Sequence, residues 1–246
     1  MAECPNPYRG HRFPADVIAH AVRLYLRFAL SYRDVEELLA ERGVHVSYET
    51  VRRWVAKFGA RYADELRRRE ARPGRTWHLD EMAVRVGGEL QWLWRAVDEH
   101  GQTLDVLLQE HRDTAAAERF FRQRLTAAGG APPGRITTDK LGSYAAALAR
   151  LPAMHGVDHV PVDHVQVRSA QRCNNRVEQA HQPTRLRERV MRRFRSAASA
   201  QRFVDAFSRV SNLFRPRRHL LAAAEYRATM RERVATWREV AGLRAA

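Results

Sequence analysis

Trp77-His78-Leu79-Asp80-Glu81-Met82-Ala83-Val84-Arg85-Val86, then Gly87-Gly88, then Leu90-Gln91-Trp92-Leu93-Trp94-Arg95-Ala96-Val97-Asp98 is the stretch that decides how most of this chain folds. Both runs are rich in Val, Leu and Trp, and a Gly-Gly pair between such runs supplies the positive-φ turn of a β-hairpin. His100-Gly101 repeats the signal before Thr103-Leu104-Asp105-Val106-Leu107-Leu108, which predicts a three-stranded antiparallel meander. Asp80 stands inside the first, otherwise apolar strand. Side chains alternate along a strand, so Glu81 belongs to the opposite face from Asp80 and both cannot easily serve one site.

Downstream, Asp113 opens a helix reaching about Leu125, and Arg135-Ile136-Thr137-Thr138 reads as a short strand ending at Asp139. A helix from Ser143 to Arg150 follows, then a variable stretch, then helices over Asn174–Arg195 and Ala197–Leu213. Tyr226, Met230, Val234 and Trp237 share one face of a final amphipathic helix, which would pack on the core or on a second copy. Three strands, helix, strand, helix is the opening order of the ribonuclease-H-like fold.

Upstream of the meander lies an arm, then three helical patterns. Ile18, Ala21, Val22, Tyr25, Phe28 and Ala29 recur at helical spacing. Ser31 with Asp34 three residues on reads as an N-cap before Val35, Leu38 and Leu39. Gly43 breaks that helix, and Ser47 caps a third with Val51, Trp54, Val55 and Phe58 on one stripe. This is a helix-turn-helix layout, and the outer face of its third helix offers Tyr48, Glu49, Thr50, Arg52, Arg53 and Lys57. The expected fold class is α/β, a three-helix helix-turn-helix followed by an RNase-H-like mixed-sheet domain. The segments are an arm (1–13), a helix-turn-helix (14–60), a basic linker (61–75), the sheet domain (76–214) and a helical tail (215–246).

The chain of 246 residues carries a formal net charge of +15 and a pI near 11.0. So large a positive charge repels itself unless a polyanion neutralises it, which makes nucleic acid the leading partner. Mean hydropathy is −0.54, and no apolar run approaches a membrane span of about 20 residues. The first residues lack a signal-peptide layout, and Cys4 and Cys173 are too few for a disulfide framework. A cytoplasmic protein with no membrane partner is expected.

Three acidic residues hold telling places: Asp80 within a strand, Asp139 at a strand end, and Glu178 in Cys173-Asn174-Asn175-Arg176-Val177-Glu178. Carboxylates suit hard cations, and two Mg²⁺ held together can clamp both oxygens of an in-line phosphoryl displacement. Taken singly, each has an ordinary alternative, because strand-end Asp residues cap turns and helical Glu residues face solvent. Glu188 is a rival third carboxylate, although an i, i+4 surface ion pair with a neighbouring arginine explains it. Pro183 should kink or restart the helix. The near-repeat Val157-Asp158-His159-Val160-Pro161-Val162-Asp163-His164-Val165 carries two Asp-His pairs, read as exposed loop rather than metal site.

Trp77-His78-Leu79-Asp80-Glu81, Thr138-Asp139-Lys140-Leu141-Gly142-Ser143-Tyr144 and Asn174-Asn175-Arg176-Val177-Glu178, with His181-Gln182-Pro183-Thr184-Arg185 following, resemble the three acidic motifs of DDE transposases. The match is to compact bacterial insertion-sequence transposases that form replicative cointegrates and have a retroviral-integrase-like catalytic core. Ser31–Leu39, the Val51–Trp54 helix, Asn212-Leu213-Phe214 and Arg217–Leu221 resemble the same family, so the similarity spans nearly the whole chain. The Asp139–Glu178 spacing is longer than the family's, and Met82 stands where Thr is usual.

The resemblance implies catalytic, metal-holding Asp80, Asp139 and Glu178, using two Mg²⁺ with Mn²⁺ as a substitute. It implies recognition of terminal inverted repeats, 3′-end cleavage and strand transfer into target DNA by a homodimer or larger assembly, nucleoid-associated when bound. Its DNA contacts would be Tyr48, Thr50, Arg52, Arg53 and Lys57 on the third helix, with Lys140, His181 and Arg185 near the carboxylates. Lysine occurs only at Lys57 and Lys140; beside Asp139 a compact ammonium suits a phosphate contact. The alternatives are a helix-turn-helix regulator without metal dependence and a transposase remnant without turnover.

Overall fold

Gly87 (φ 61°) and Gly88 (φ 97°) reverse the chain between β1 (Thr76–Val86) and β2 (Glu89–Asp98), a left-handed pair that side-chain-bearing residues adopt only with strain. The computed structural model describes residues 6–70, 74–138, 141–161, 175–216 and 220–243. It resolves into two compact units, Glu70–Ser208 and Met1–Arg69 with Arg209–Ala246.

The first of these is built on a mixed sheet. Strand β2 pairs antiparallel with β1, placing Arg95 opposite Asp80, and β3 (Thr103–Gln109) pairs antiparallel with β2. Helix α4 (Thr114–Ala127) follows, its N-terminus capped by Asp113 accepting from the Ala116 N–H at 2.7 Å. Strand β4 (Arg135–Thr138) then runs parallel to β1, pairing His78 with Thr137, and leads past Asp139 into α5 (Gly142–Ala149). A further strand, β5 (Asp158–Pro161), adds in parallel to β4. The order β3-β2-β1-β4-β5, three strands antiparallel and two parallel to the first, is the RNase-H-like sheet that the opening order of elements implies.

Strand β5 lies where the sequence reads as exposed loop. Four residues are too few for a periodic signal, and pairing along β4 supplies the order that alternation does not. The sheet continues into α6 (Asn175–Val190) and the start of α7 (Ala197–Phe214). Trp77, Leu79, Trp94, Phe120, Phe121, Ile136 and Tyr144 form the core between one sheet face and α4 and α5, each at most 1% exposed. The β3 edge is covered by α7: the Gln201 side chain accepts from the Leu108 N–H at 2.7 Å and donates to the Val106 carbonyl at 3.0 Å.

In the other unit, α1 (Ala15–Arg27), α2 (Tyr32–Ala40) and α3 (Tyr48–Arg69) pack through Ile18, Val22, Tyr25, Val35, Leu39, Val51 and Trp54. The expected cap is a full capping box: Ser31 Oγ accepts from the Asp34 N–H at 3.1 Å, and Asp34 accepts from the Ser31 N–H at 2.8 Å. Gly43 closes α2 at φ 73°, completing the helix-turn-helix arrangement.

Residues 61–69, which read as linker, continue α3. Tyr62, Ala63 and Leu66 extend its buried stripe, and Asp64–Arg67 and Glu65–Arg68 pair along its surface. The tail forms α8 (Ala223–Val240), which packs on the arm and helices of its own unit. Tyr8 donates to the Ala241 carbonyl at 2.6 Å, Trp237 meets Tyr62 edge-on at 5.1 Å, and Arg238 pairs with Asp16 at 2.9 Å. Among the described residues, no helix is long and apolar enough to cross a membrane.

Candidate active site

The apolar pattern of β1 sends Trp77 and Leu79 into the core and leaves Asp80 on the other face, where α6 lies. Asp80 is 7% exposed, and its Oδ2 is 3.3 Å from Nε2 of the buried His181. Burial pushes the His181 imidazole pKa down, the contact with Asp80 opposes that shift, and Arg95 adds to it. One turn further, the fully buried Thr184 accepts a 2.7 Å hydrogen bond from Arg95 Nη2, and Arg95 is itself the cross-strand partner of Asp80. Positions three apart share a helix face, so His181 and Thr184 dock α6 on β1 and β2 together.

Glu188 makes a third attachment. Its Oε1 accepts from the Arg85 N–H at 3.2 Å, at the far end of β1 from the core strand pairing, so its described bond is to backbone rather than to a helical neighbour. Pro183, expected to kink or restart the helix, falls inside an α6 that runs on from Asn175 to Val190, between the attachments at His181 and Thr184.

Glu81 faces the core, as alternation requires. Its side chain has no exposure and accepts from the Tyr144 hydroxyl at 2.6 Å and from Nε of Arg112. The Arg112 guanidinium also lies over Trp92, 5.0 Å from the ring centre.

Of the expected catalytic set, Asp80 is on this surface and Glu178 lies on α6 one turn before His181, its side chain outside the described residues. Asp139 and Lys140 fall outside the described residues, between β4 and α5. Among the described residues, no group of three His, Cys, Asp or Glu side chains clusters to hold a metal. Arg185 is exposed on α6. His181, expected to touch DNA, is instead 4% exposed against Asp80. Of the two Asp-His pairs, Asp158 binds Arg135 at 2.6 Å and His159 meets the Thr138 hydroxyl at 2.9 Å, while Asp163 and His164 lie outside the described residues.

The other expected residues line the outer side of α3. Tyr48 is 42% exposed beneath the Arg33 guanidinium, and Thr50 bonds Ser47. Glu49 grips Arg52 with both oxygens, at 2.6 and 2.8 Å, and reaches Arg53 at 3.4 Å. These bonds hold its carboxyl down to about 2. Lys57 Nζ is 2.8 Å from His11 Nε2 on the arm.

The Glu81 and Thr184 attachments were not apparent in the sequence. The one available signal was the position of His181, three residues past Glu178 in an otherwise polar helix.

A family model described as a DDE domain matches residues 74–217. The transposase for the insertion sequence-like element IS431mec of Staphylococcus aureus is 31% identical over 216 residues, covering 88% of this chain and 92% of that protein. The transposase for insertion sequence element IS257 in transposon Tn4003, also from S. aureus, matches with the same identity and coverage. Among solved structures, the Mos1 strand transfer complex is 13% identical, covers 94% of this chain and 78% of its own, and superposes with a TM-score of 0.41. The HTLV-2 integrase catalytic core with magnesium, in its trimeric form, is 12% identical over 62% of this chain and 92% of its own, with a TM-score of 0.39. Matched by its family over more than half its length and by relatives almost end to end, the chain belongs to the DDE transposases of insertion sequences.

Proposed function

We propose that this transposase binds the terminal inverted repeats of its element as double-stranded DNA, cleaves the element's 3′ ends and joins them to target DNA in a Mg²⁺-dependent reaction. The observation that carries the reading is the docking of α6 on β1 through His181 and Asp80. Strands β1 and β4 run parallel with His78 opposite Thr137, and each reaches an acidic residue two positions later, Asp80 and Asp139. Glu178 stands one turn before His181 on the docked helix.

The donor set fits a hard divalent cation. Asp80 offers carboxylate oxygen from a nearly buried position, with His181 beside it on α6 and Arg95 opposite it on β2. Asp80, Asp139 and Glu178 would hold the ions, two Mg²⁺ or Mn²⁺ in their place. Bound there, divalent ions lower the pKa of water and stabilise charge on the phosphoryl oxygens, so no Ser or Cys nucleophile is required.

The chain's own residues bind and orient the DNA. Tyr48, Thr50, Arg52, Arg53 and Lys57 present the exposed side of α3 to a major groove, while Lys140 and Arg185 contact phosphates near the reacting strand. His181 orients Asp80. Two ends must be held for joining, which calls for at least two copies of the chain.

Asp80→Asn, Asp139→Asn and Glu178→Gln should each abolish strand transfer on an end-containing substrate in Mg²⁺ while end binding survives. Glu188→Gln should stay active. Loss of activity in Glu188→Gln with retention in Glu178→Gln would overturn the assignment of the third ligand.

A further inference from the structure

Glu81 is a buried acid that the chemistry above does not use. A carboxylate with no exposure is costly to bury unless fully partnered, and an apolar residue facing Trp94 across the strands would fill the same space without that cost. Its partners come from two places far along the chain. Tyr144 sits in the first turn of α5, five residues past Asp139, with no exposure and edge-on to Trp94 at 5.5 Å. Arg112 directly precedes Asp113, the cap of α4.

One carboxylate therefore ties β1, at the residue adjoining Asp80, to the segment that follows Asp139. Two acidic ligands on different strands share a cation only if their backbones keep a fixed separation: the β1–β4 pairing, His78 opposite Thr137, fixes it before the two acids, and the Tyr144–Glu81 bond ties the chain again after them.

We infer that Glu81 is a positioning residue of the catalytic centre. Through Tyr144 it adds a second tie, after the β1–β4 pairing, between the Asp80 and Asp139 stretches, and Arg112 is a further partner. This rests on the reading of Asp80 and Asp139 as metal ligands. Groups that orient a metal's ligands typically change metal affinity by about 10–100-fold when removed. The signature is thus a change in metal requirement rather than in DNA binding.

The test uses the full chain with Glu81→Gln, Tyr144→Phe and, as reference, Asp80→Asn. Mn²⁺ binding is measured by calorimetry, strand transfer is measured against Mg²⁺ concentration, and end binding and melting are recorded alongside. Tyr144→Phe removes one hydroxyl from an otherwise unchanged ring, so it serves even if Glu81→Gln does not fold. Expected is a roughly tenfold weaker Mn²⁺ affinity in Tyr144→Phe and in folded Glu81→Gln, in the range for such partners. The Mg²⁺ needed for half-maximal transfer should rise in parallel, with end binding within about twofold of wild type. Wild-type Mn²⁺ affinity and Mg²⁺ dependence in Tyr144→Phe, with or without a lower melting temperature, would overturn the proposal. Wild-type Mn²⁺ binding in Asp80→Asn would instead remove the reading of the ligands beneath it.

Discussion

Replacing Thr184 by valine exchanges a hydroxyl for a methyl of nearly the same shape at a position with no exposure. Volume is kept, so what disappears is the oxygen that Arg95 reaches at 2.7 Å. A hydrogen bond to a charged group contributes about 1.5–3 kcal/mol. With a loss near 2 kcal/mol, the docked-to-undocked ratio of α6 should fall roughly 30-fold. Thr184→Ser keeps the acceptor and deletes one buried methyl, about 0.8 kcal/mol or roughly fourfold. Hydrogen exchange of the α6 amides reads this ratio directly, and strand transfer should fall in the same order, valine below serine below wild type. If serine accelerates exchange as much as valine, methyl packing and not the Arg95 bond holds the helix. A valine variant with less than about threefold faster exchange would likewise refute the reasoning.

Two further predictions concern Glu49 on α3 and the outer edge of β3. The Glu49 carboxyl, held down first by its hydrogen bond to Arg52 and then by Arg53, should titrate near 2 by carbon NMR rather than at the ordinary 4.5. Its contribution is therefore complete above about 4.5 and lost as pH falls toward 2. Arg52→Gln should return the midpoint toward the ordinary range; a wild-type midpoint already there would mean the pair does not form. Gln201→Ala removes two bonds to the outer edge of β3 and should cost about 2 kcal/mol in urea unfolding, at about 1 kcal/mol each. Gln201→Glu keeps the acceptor for Leu108 but sets a carboxylate oxygen against the Val106 carbonyl, so it should cost at least as much; an alanine change below about 0.5 kcal/mol would deny the edge its role.

The meander was legible because its information is local. Gly87-Gly88 between two apolar runs carries both the turn and the register, and Ser31 with Asp34 carries a helix start within four residues. Helix α3 was legible only as far as its charge allowed. Arg67, Arg68 and Arg69 look like the edge of a linker, although Tyr62 and Leu66 continue the stripe of Val51, Trp54 and Phe58. Strand β5 was not legible, since its order comes from β4 and not from its own four residues.

The same division applies to the site. Asp80 stood out as an acid in an apolar strand. The use of His181, Thr184 and Glu81 depended on partners 31 to 101 residues away in the chain, which no local pattern encodes. Burial turned a histidine with the sequence context of a DNA contact into a neighbour of Asp80.

The cover that Gln201 places over β3 also sets a schedule for synthesis. Leu108 and Gln201 are 93 residues apart, so the meander leaves the ribosome long before its edge can be closed. At about 5–20 residues per second, that interval is roughly 5–20 s. Hairpins form in about microseconds, so three paired strands with an open row of amides and carbonyls wait on the nascent chain for nearly all of that time. An open edge of this kind templates pairing with other strands. On a polysome, the nearest such strand belongs to the next copy of the same chain, and slow translation between β3 and α7 lengthens the exposure in direct proportion.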